Sequence, residues 1–415
     1  MIERITILGG SSVYIPEFIL SVIARNVNIG EIVLYGRPGA KLDTVGAFCQ
    51  RIVRKSGYPG AVSTSADFDE AVSGARYVVN HIRVGGMLAR ARDETLPVKA
   101  GMIGDDTIGA GGIACALRTL PVVLDFAKRL ETINPEAHFI NLTNPQGTVV
   151  EALGRLSGLK VVGPCDAPAS MLNKVAELLA CAPQDLRMDY FGMNHLGWIQ
   201  DIKLHGRSHM LEVLEHIERA DDDGFDKVLI DLFRMIPINK VWMYFHRDRL
   251  LKKQQSSHRS RGQTLRAAEK QILRLYQDKS LSELPELTRQ RNAVWYDQTI
   301  VPLIQAFESK QDRELILCVR NDGAVRDLPE ECSVEAPVKV GKRGIRPQKV
   351  GSMPRFLRGL YYMIKESDRL VVEAVSHKSY EHALQALCVN PFVPSIDTAR
   401  SFLDQVMKEE SLELH

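Results

Sequence analysis

Two hydrophobic rhythms alternate over the first 170 or so residues of the chain. Short apolar or β-branched runs at 5–8, 31–35, 77–82, 138–142 and 160–163 predict five strands, and stretches with helical spacing, such as 19–24 and 116–130, lie between them. Strands this uniformly apolar, alternating with helices, predict a parallel sheet covered on both faces, a doubly wound α/β architecture. Right-handed crossovers then place the loop after every strand on one edge of the sheet, where ligands bind. Past residue 170 the rhythm changes. Residues 171–180 read as a helix, 188–191 begin a different strand set, and helices are expected at 357–364, at 380–387 and from 398 onward. A chain of 415 residues exceeds one ordinary core. We therefore expect two units, 1–168 and 169–415, the second of mixed α+β type.

Composition narrows the class. Hydrophobic residues at 45% and charged residues at 25% belong to a folded globular chain and not to a disordered one. A net charge of +2 gives no reason to expect a nucleic-acid partner. The strongly basic stretch from Arg247 to Lys270 predicts a solvated helix face or a mobile loop. Seven cysteines, an odd number with no C-x-x-C pair, point to reduced thiols and a cytoplasmic protein. No uninterrupted apolar run reaches the roughly 18 residues that a membrane span requires. Glu3 and the early glycines are foreign to a signal peptide.

Candidate chemistry begins at the first turn. Gly9-Gly10-Ser11-Ser12 follows the first strand and precedes a helix. Glycines there let a backbone approach a pyrophosphate, although a plain strand-to-helix turn has the same look. The end of the second strand, where an acid would accept hydrogen bonds from an adenosine ribose, holds Gly36-Arg37. Arginine there could favour a 2′-phosphate or leave the ribose loosely held. Farther on, Cys165 and His195 form a thiolate–imidazole pair suited to a borderline divalent ion. Spacing alone equally allows a buried cysteine and a core histidine.

Five segments taken together carry more weight. They are His81-Ile82-Arg83-Val84-Gly85-Gly86, Gly104-Asp105-Asp106-Thr107-Ile108-Gly109, Asn141-Leu142-Thr143-Asn144-Pro145, Cys165-Asp166-Ala167-Pro168 and Gly192-Met193-Asn194-His195-Leu196. Their order and spacing resemble glycoside hydrolase family 4, the NAD- and Mn²⁺-dependent glycosidases that include 6-phospho-α- and 6-phospho-β-glucosidases. The resemblance runs essentially end to end. It implies an N-terminal Rossmann-like dinucleotide-binding domain, a C-terminal domain of lactate-dehydrogenase-like type that serves substrate, metal and oligomerisation, and a homodimer or homotetramer.

The family's chemistry differs from two-carboxylate hydrolysis. Hydride leaves C3 of the sugar for NAD⁺, the C3 ketone acidifies the C2 proton, a base takes that proton, and the C1 substituent is eliminated before water adds and the hydride returns. The resemblance implies that Cys165 and His195 hold Mn²⁺ and that Gly9, Gly10, Ser11, Ser12 and Asn141 meet the cofactor. It also implies that Arg83 and Arg261 bind the substrate phosphate and that Asn144 helps hold the sugar. Asp166 matches a position that reads Asp in the α-type enzymes and Asn in the β-type, which favours the α reaction, with β a close second. An Asp there could protonate the departing oxygen if its pKa is raised. At the family's base tyrosine this chain departs: Pro237-Ile238-Asn239 leads to Lys240, and Tyr244 matches only a later tyrosine. Either Lys240 is the base, or Tyr244 reaches the site, or hydrolysis has been lost. A sugar-phosphate- and dinucleotide-binding protein without turnover, and a plain NAD-dependent sugar dehydrogenase, remain the rival functions.

Overall fold

A computed structural model describes residues 1–219, 224–291 and 293–415. The first part runs β1 (Ile2–Leu8), α1 (Ile15–Ala24), β2 (Ile29–Tyr35), α2 (Ala40–Ser56), β3 (Ala61–Ser65), α3 (Phe68–Val72) and β4 (Tyr77–Asn80). It continues through α4 (Gly86–Lys99), α5 (Gly109–Ile133), β5 (His138–Asn141), α6 (Gln146–Leu156), β6 (Lys160–Pro164) and α7 (Asp166–Leu178). Next come β7 (Leu186–Met193), β8 (Leu196–Leu204), β9 (Arg207–Ser208), α8 (Met210–Arg219), α9 (Lys227–Phe233), β10 (Ile236–Asn239) and α10 (Val241–Phe245). The last elements are α11 (Arg247–Gln255), α12 (Arg261–Tyr276), α13 (Val301–Glu308), β11 (Arg313–Arg320), β12 (Ser333–Gly341), β13 (Gly344–Pro347), α14 (Arg355–His377), α15 (Tyr380–Val389) and α16 (Ile396–Glu410).

Strands β3-β2-β1-β4-β5-β6 are parallel and hydrogen-bonded in that order, the doubly wound arrangement the rhythm predicts. The sheet does not stop there. Strand β11 pairs antiparallel with β6, and β12, β7, β8 and β10 extend the sheet beyond it. Strand β3 escapes the sequence reading because Ala61-Val62-Ser63-Thr64-Ser65 carries a single large apolar side chain, enough for a sheet edge but not for an apolar run. The basic stretch is ordered as α11 and the start of α12, which a Ser260–Gln263 capping box begins.

Alternation along each strand sorts the core. Tyr77 and Val79 face the cluster built with α1, α2 and α13, whereas Val78 faces the one built with α5, α6 and α14–α16. Phe18, fully buried against Tyr296, belongs to the first, and truncating such a side chain to Ala costs about 3–5 kcal/mol. Both clusters draw residues from either side of residue 168, so the two halves of the chain share their cores. Among the described residues α5 alone is long and apolar enough to cross a membrane, and 72% of its apolar window is buried inside the protein. All seven cysteines are free.

The turn at the end of β1 lies between the ends of β2 and β4. The amides of Gly9 and Gly10 both donate to the Tyr35 carbonyl, at 3.0 and 2.8 Å. Gly9 has φ +93°, and a Cβ there would come within 2.5 Å of the His81 carbonyl oxygen. Only glycine combines that conformation with that contact.

Candidate active site

The loops after β1, β4, β5 and β6 converge on one cleft of about 580 Å³, at the point where the sheet order reverses between β1 and β4. Gly9, Ser11 and Ser12 line it from one side, and Cys165, Asp166 and His195 from another. Arg83, Asn144, Lys240 and Arg261 line it as well. Most of the side chains singled out in the sequence, drawn from segments far apart in the chain, therefore share one space.

Cys165 sits at the start of α7, where β6 ends, and is buried. Burial, then the nearby acids Glu335 and Asp166, push its thiol well above the ordinary cysteine value. His195 occupies the two-residue turn between β7 and β8, at φ +67°. Burial and then the Lys240 ammonium lower its pKa to about 3, so the imidazole is neutral and able to bind a metal. Its Nδ1 is 3.3 Å from the Thr107 hydroxyl. Among the described residues no group of three or more His, Cys, Asp and Glu side chains gathers at one point. Two protein donors facing a cleft are what an open coordination sphere completed by substrate oxygens requires, so the residues fit the metal the resemblance implies.

Beside His195 the lining is ionic. Arg83 Nη1 donates to Asp106 Oδ2 at 2.7 Å, and the Asn144 amide lies 3.4 Å from the same oxygen. Burial alone would raise the Asp106 pKa, but Arg90, Arg83 and Lys240 outweigh it and hold the carboxyl well below the ordinary range. Lys240 Nζ donates to both oxygens of Asp105, at 2.6 and 2.7 Å, and to the Thr107 hydroxyl. An amine that abstracts a proton needs a free lone pair, and here the nitrogen is committed to a carboxylate. Arg291, flanked by the Tyr14 and Trp295 rings at 4.8 Å from each, completes the positive lining. Burial and then the charges of Arg90 and Arg83 lower its pKa to about 10.

Three expected residues stand elsewhere. Asn141 is fully buried beneath the cleft: its Oδ1 accepts from Asn80 at 2.9 Å and its Nδ2 donates to the Thr143 carbonyl at 3.0 Å. Those bonds tie the ends of β4 and β5 together and leave the side chain no reach to a cofactor. Gly10 lies under the turn, where a Cβ would meet the Leu34 backbone. Tyr244, on α10, packs edge-on against Phe245 and Phe392 and does not line the cleft. Other residues went unread. Asp105 and Asp106 stood in a quoted segment, two acids among glycines, and that was their signal. Glu335, in the middle of β12, had none. Buried beside Cys165, it accepts from Tyr190 and from Asn194 Nδ2 (3.1 Å), and burial raises its pKa to about 7.

Comparison with known proteins gives this geometry a context. Residues 4–181 match the profile described as "Family 4 glycosyl hydrolase", and residues 190–393 that of its C-terminal domain. A probable 6-phospho-beta-glucosidase of Bacillus subtilis is 32% identical over 98% of this chain and 96% of its own. The 6-phospho-beta glucosidase of Thermotoga maritima, solved with manganese, NAD⁺ and glucose-6-phosphate, superposes with a TM-score of 0.92 at 28% identity, over 100% of each chain. A 6-phospho-alpha-glucosidase from gut microorganisms, solved with NAD and glucose-6-phosphate, gives 0.91 at 26% identity, over 100% of this chain and 99% of the other.

Proposed function

The chain belongs to glycosyl hydrolase family 4, and from that premise we propose that it hydrolyses 6-phosphorylated glucosides, using a nicotinamide dinucleotide and Mn²⁺. The observation that carries the proposal is the convergence of the glycine turn, Cys165, His195 and Arg83 on one cleft. Bound there, the dinucleotide would supply a hydride acceptor and the ion a Lewis acid, the two capacities that side chains lack. Gly9, Ser11 and Ser12 hold the dinucleotide, and Cys165 with His195 hold the metal. Residues 1–168 are the cofactor-holding unit, and 169–415 contribute His195, Lys240 and Arg261 to the substrate side. Arg83 and Arg261 grip the 6-phosphate, since two guanidinium groups suit one phosphate group. Asp106 keeps Arg83 aimed, and Asn144 steadies the sugar.

Asp166 protonates the departing oxygen. Burial raises its pKa, with Arg291 opposing, so the carboxyl retains its proton to higher pH than an exposed aspartate. Because an Asp stands here, as in the α-type enzymes that the sequence resembles, the α-glucoside is the preferred anomer. Of the two candidates for the base, Lys240 reaches the cleft and Tyr244 does not, and the role goes to Lys240; it requires the pairing with Asp105 to open once substrate binds. Lys240→Met should then abolish exchange of the C2 proton with solvent deuterium, and unchanged exchange removes Lys240 from the mechanism.

The whole reading is tested with nitrophenyl 6-phospho-α- and 6-phospho-β-glucosides, with and without Mn²⁺ and with NAD⁺ or NADP⁺ in separate arms. Hydrolysis that needs both metal and dinucleotide, faster for the α-anomer, is the expected result. Binding without turnover would make the protein a sugar-phosphate binder, and accumulating reduced cofactor would make it a dehydrogenase.

A further inference from the structure

The end of β2 is built for a different ribose from the one an acid would hold. In dinucleotide-binding folds a carboxylate at this point accepts hydrogen bonds from the 2′- and 3′-hydroxyls, and an arginine nearby accommodates a 2′-phosphate instead. Here β2 ends at Tyr35, and Gly36 and Arg37 follow. A Cβ built on Gly36 would point at the first glycine turn, 3.6 Å from the Ser11 amide nitrogen and 3.3 Å from Leu42 Cδ1. The backbone does not demand glycine there, because Gly36 is not among the positive-φ residues. Gly36 therefore omits the acidic side chain that an NAD-type ribose site would use, with no backbone reason for glycine.

Arg37 lines the same cleft as Gly9, Ser11 and Ser12, is exposed, and makes no hydrogen bond or ion pair among the described residues. Lys41, the second residue of α2, lines it too, at the positive end of that helix. Glu269, which also lines the cleft, is ion-paired with Lys41 through one of its oxygens. An NAD-type acid would repel a phosphate dianion. This edge of the cleft instead offers a guanidinium that has no partner among the described residues.

We infer that the cleft prefers a 2′-phosphorylated dinucleotide, NADP⁺, and that Arg37 sets the preference. The inference rests on the dinucleotide cleft proposed above and specifies which dinucleotide fills it. Calorimetric titration of the full-length protein with NADP⁺ and with NAD⁺, in the absence of sugar, tests it. Wild type should bind NADP⁺ at least about tenfold more tightly than NAD⁺, which is the weight of one charge-assisted hydrogen bond. Arg37→Ala should weaken NADP⁺ about 10- to 100-fold while leaving NAD⁺ within about threefold, because it removes a contact only the 2′-phosphate makes. Gly36→Asp should reverse the order. Arg37 is exposed, so Arg37→Ala decides the matter even if Asp at the buried position 36 prevents folding. Tighter binding of NAD⁺ by wild type, or equal weakening of both dinucleotides in Arg37→Ala, overturns the inference. NADP⁺ preference in a protein that hydrolyses no glucoside leaves the inference standing and removes the glycosidase reading. Mn²⁺-dependent hydrolysis supported by NAD⁺ and not by NADP⁺ does the opposite.

Discussion

Asp166 and Asp106 line the same cleft, and both are largely buried. Burial raises the pKa of each, yet Asp166 ends above the ordinary aspartate value and Asp106 well below it. Neighbours make the difference. Asp106 has Arg90, Arg83 and Lys240 around it, whereas at Asp166 a hydrogen bond from its own backbone amide and the charge of Arg291 oppose burial without outweighing it. One set of groups carries permanent charges that orient one another. In the other, desolvation shifts each group towards its neutral form: Asp166, Cys165, His195 and, behind them, Glu335 with its pKa raised to about 7. A metal ion held by Cys165 would reverse that shift for the thiol, and burial alone would have produced just the second set.

The comparison breaks first if Asp166 is not the proton donor. Asp166→Asn should cut hydrolysis of alkyl 6-phosphoglucosides about 10²–10⁴-fold, the usual weight of general acid catalysis. With a nitrophenol leaving group, which departs without a proton, the loss should stay within about tenfold by the same reasoning. Steady-state rates on the two substrate classes decide it, and equal losses would strip Asp166 of the role.

A second test concerns stability. Asp106→Asn leaves Arg83 and Arg90 without their shared anion, and urea unfolding should show a loss of about 3–5 kcal/mol, as when one partner of a buried ion pair is removed. Asp166→Asn, at a site that already disfavours the charge, should change stability by no more than about 1 kcal/mol. Similar losses in both variants would erase the distinction between the two acids.

Smaller in effect is a pH test on His81, at the end of β4, whose Nδ1 meets the Tyr296 hydroxyl at 2.8 Å. Burial, then the charges of Arg291 and Arg83, lower its pKa to about 3 from an ordinary 6.5. Between those two values the unfolded chain binds more protons than the folded one, so stability falls as pH drops through that window. His81→Gln should flatten part of that slope in unfolding experiments between pH 4 and 6.5; an unchanged slope would assign it to other groups. The smallest effect is expected at Tyr244, outside the cleft: Tyr244→Phe should keep activity within about twofold, since substitutions away from a site's contacts are near neutral.

Much of this was legible along the chain. Five of the six parallel strands show as apolar runs because their side chains are buried on both faces, and β3 is lost because an edge strand needs no such run. Gly9 is legible too, as its positive φ and the close His81 carbonyl admit no other residue. Cys165, His195, Arg83 and Asn144 were found through the order of their segments, and all of them line the cleft. Asn141 and Tyr244 belong to equally suggestive segments and do not line it. A motif fixes that a side chain is near a loop, while the bonds made by its neighbours, such as Asn80 to Asn141, fix where it points.

The chain by itself determined the doubly wound sheet, the glycine turn and the residue types carried to its edge, because periodicity and turn chemistry are local properties of the backbone. The charge state of those residues came only with the tertiary structure. Protonation depends on desolvation and on charges a few ångströms away, and those distances join Asp105 to Lys240, and Cys165 to Glu335, across more than a hundred residues of sequence. The committed Lys240 nitrogen and the divergent pair Asp106 and Asp166 both follow from that proximity.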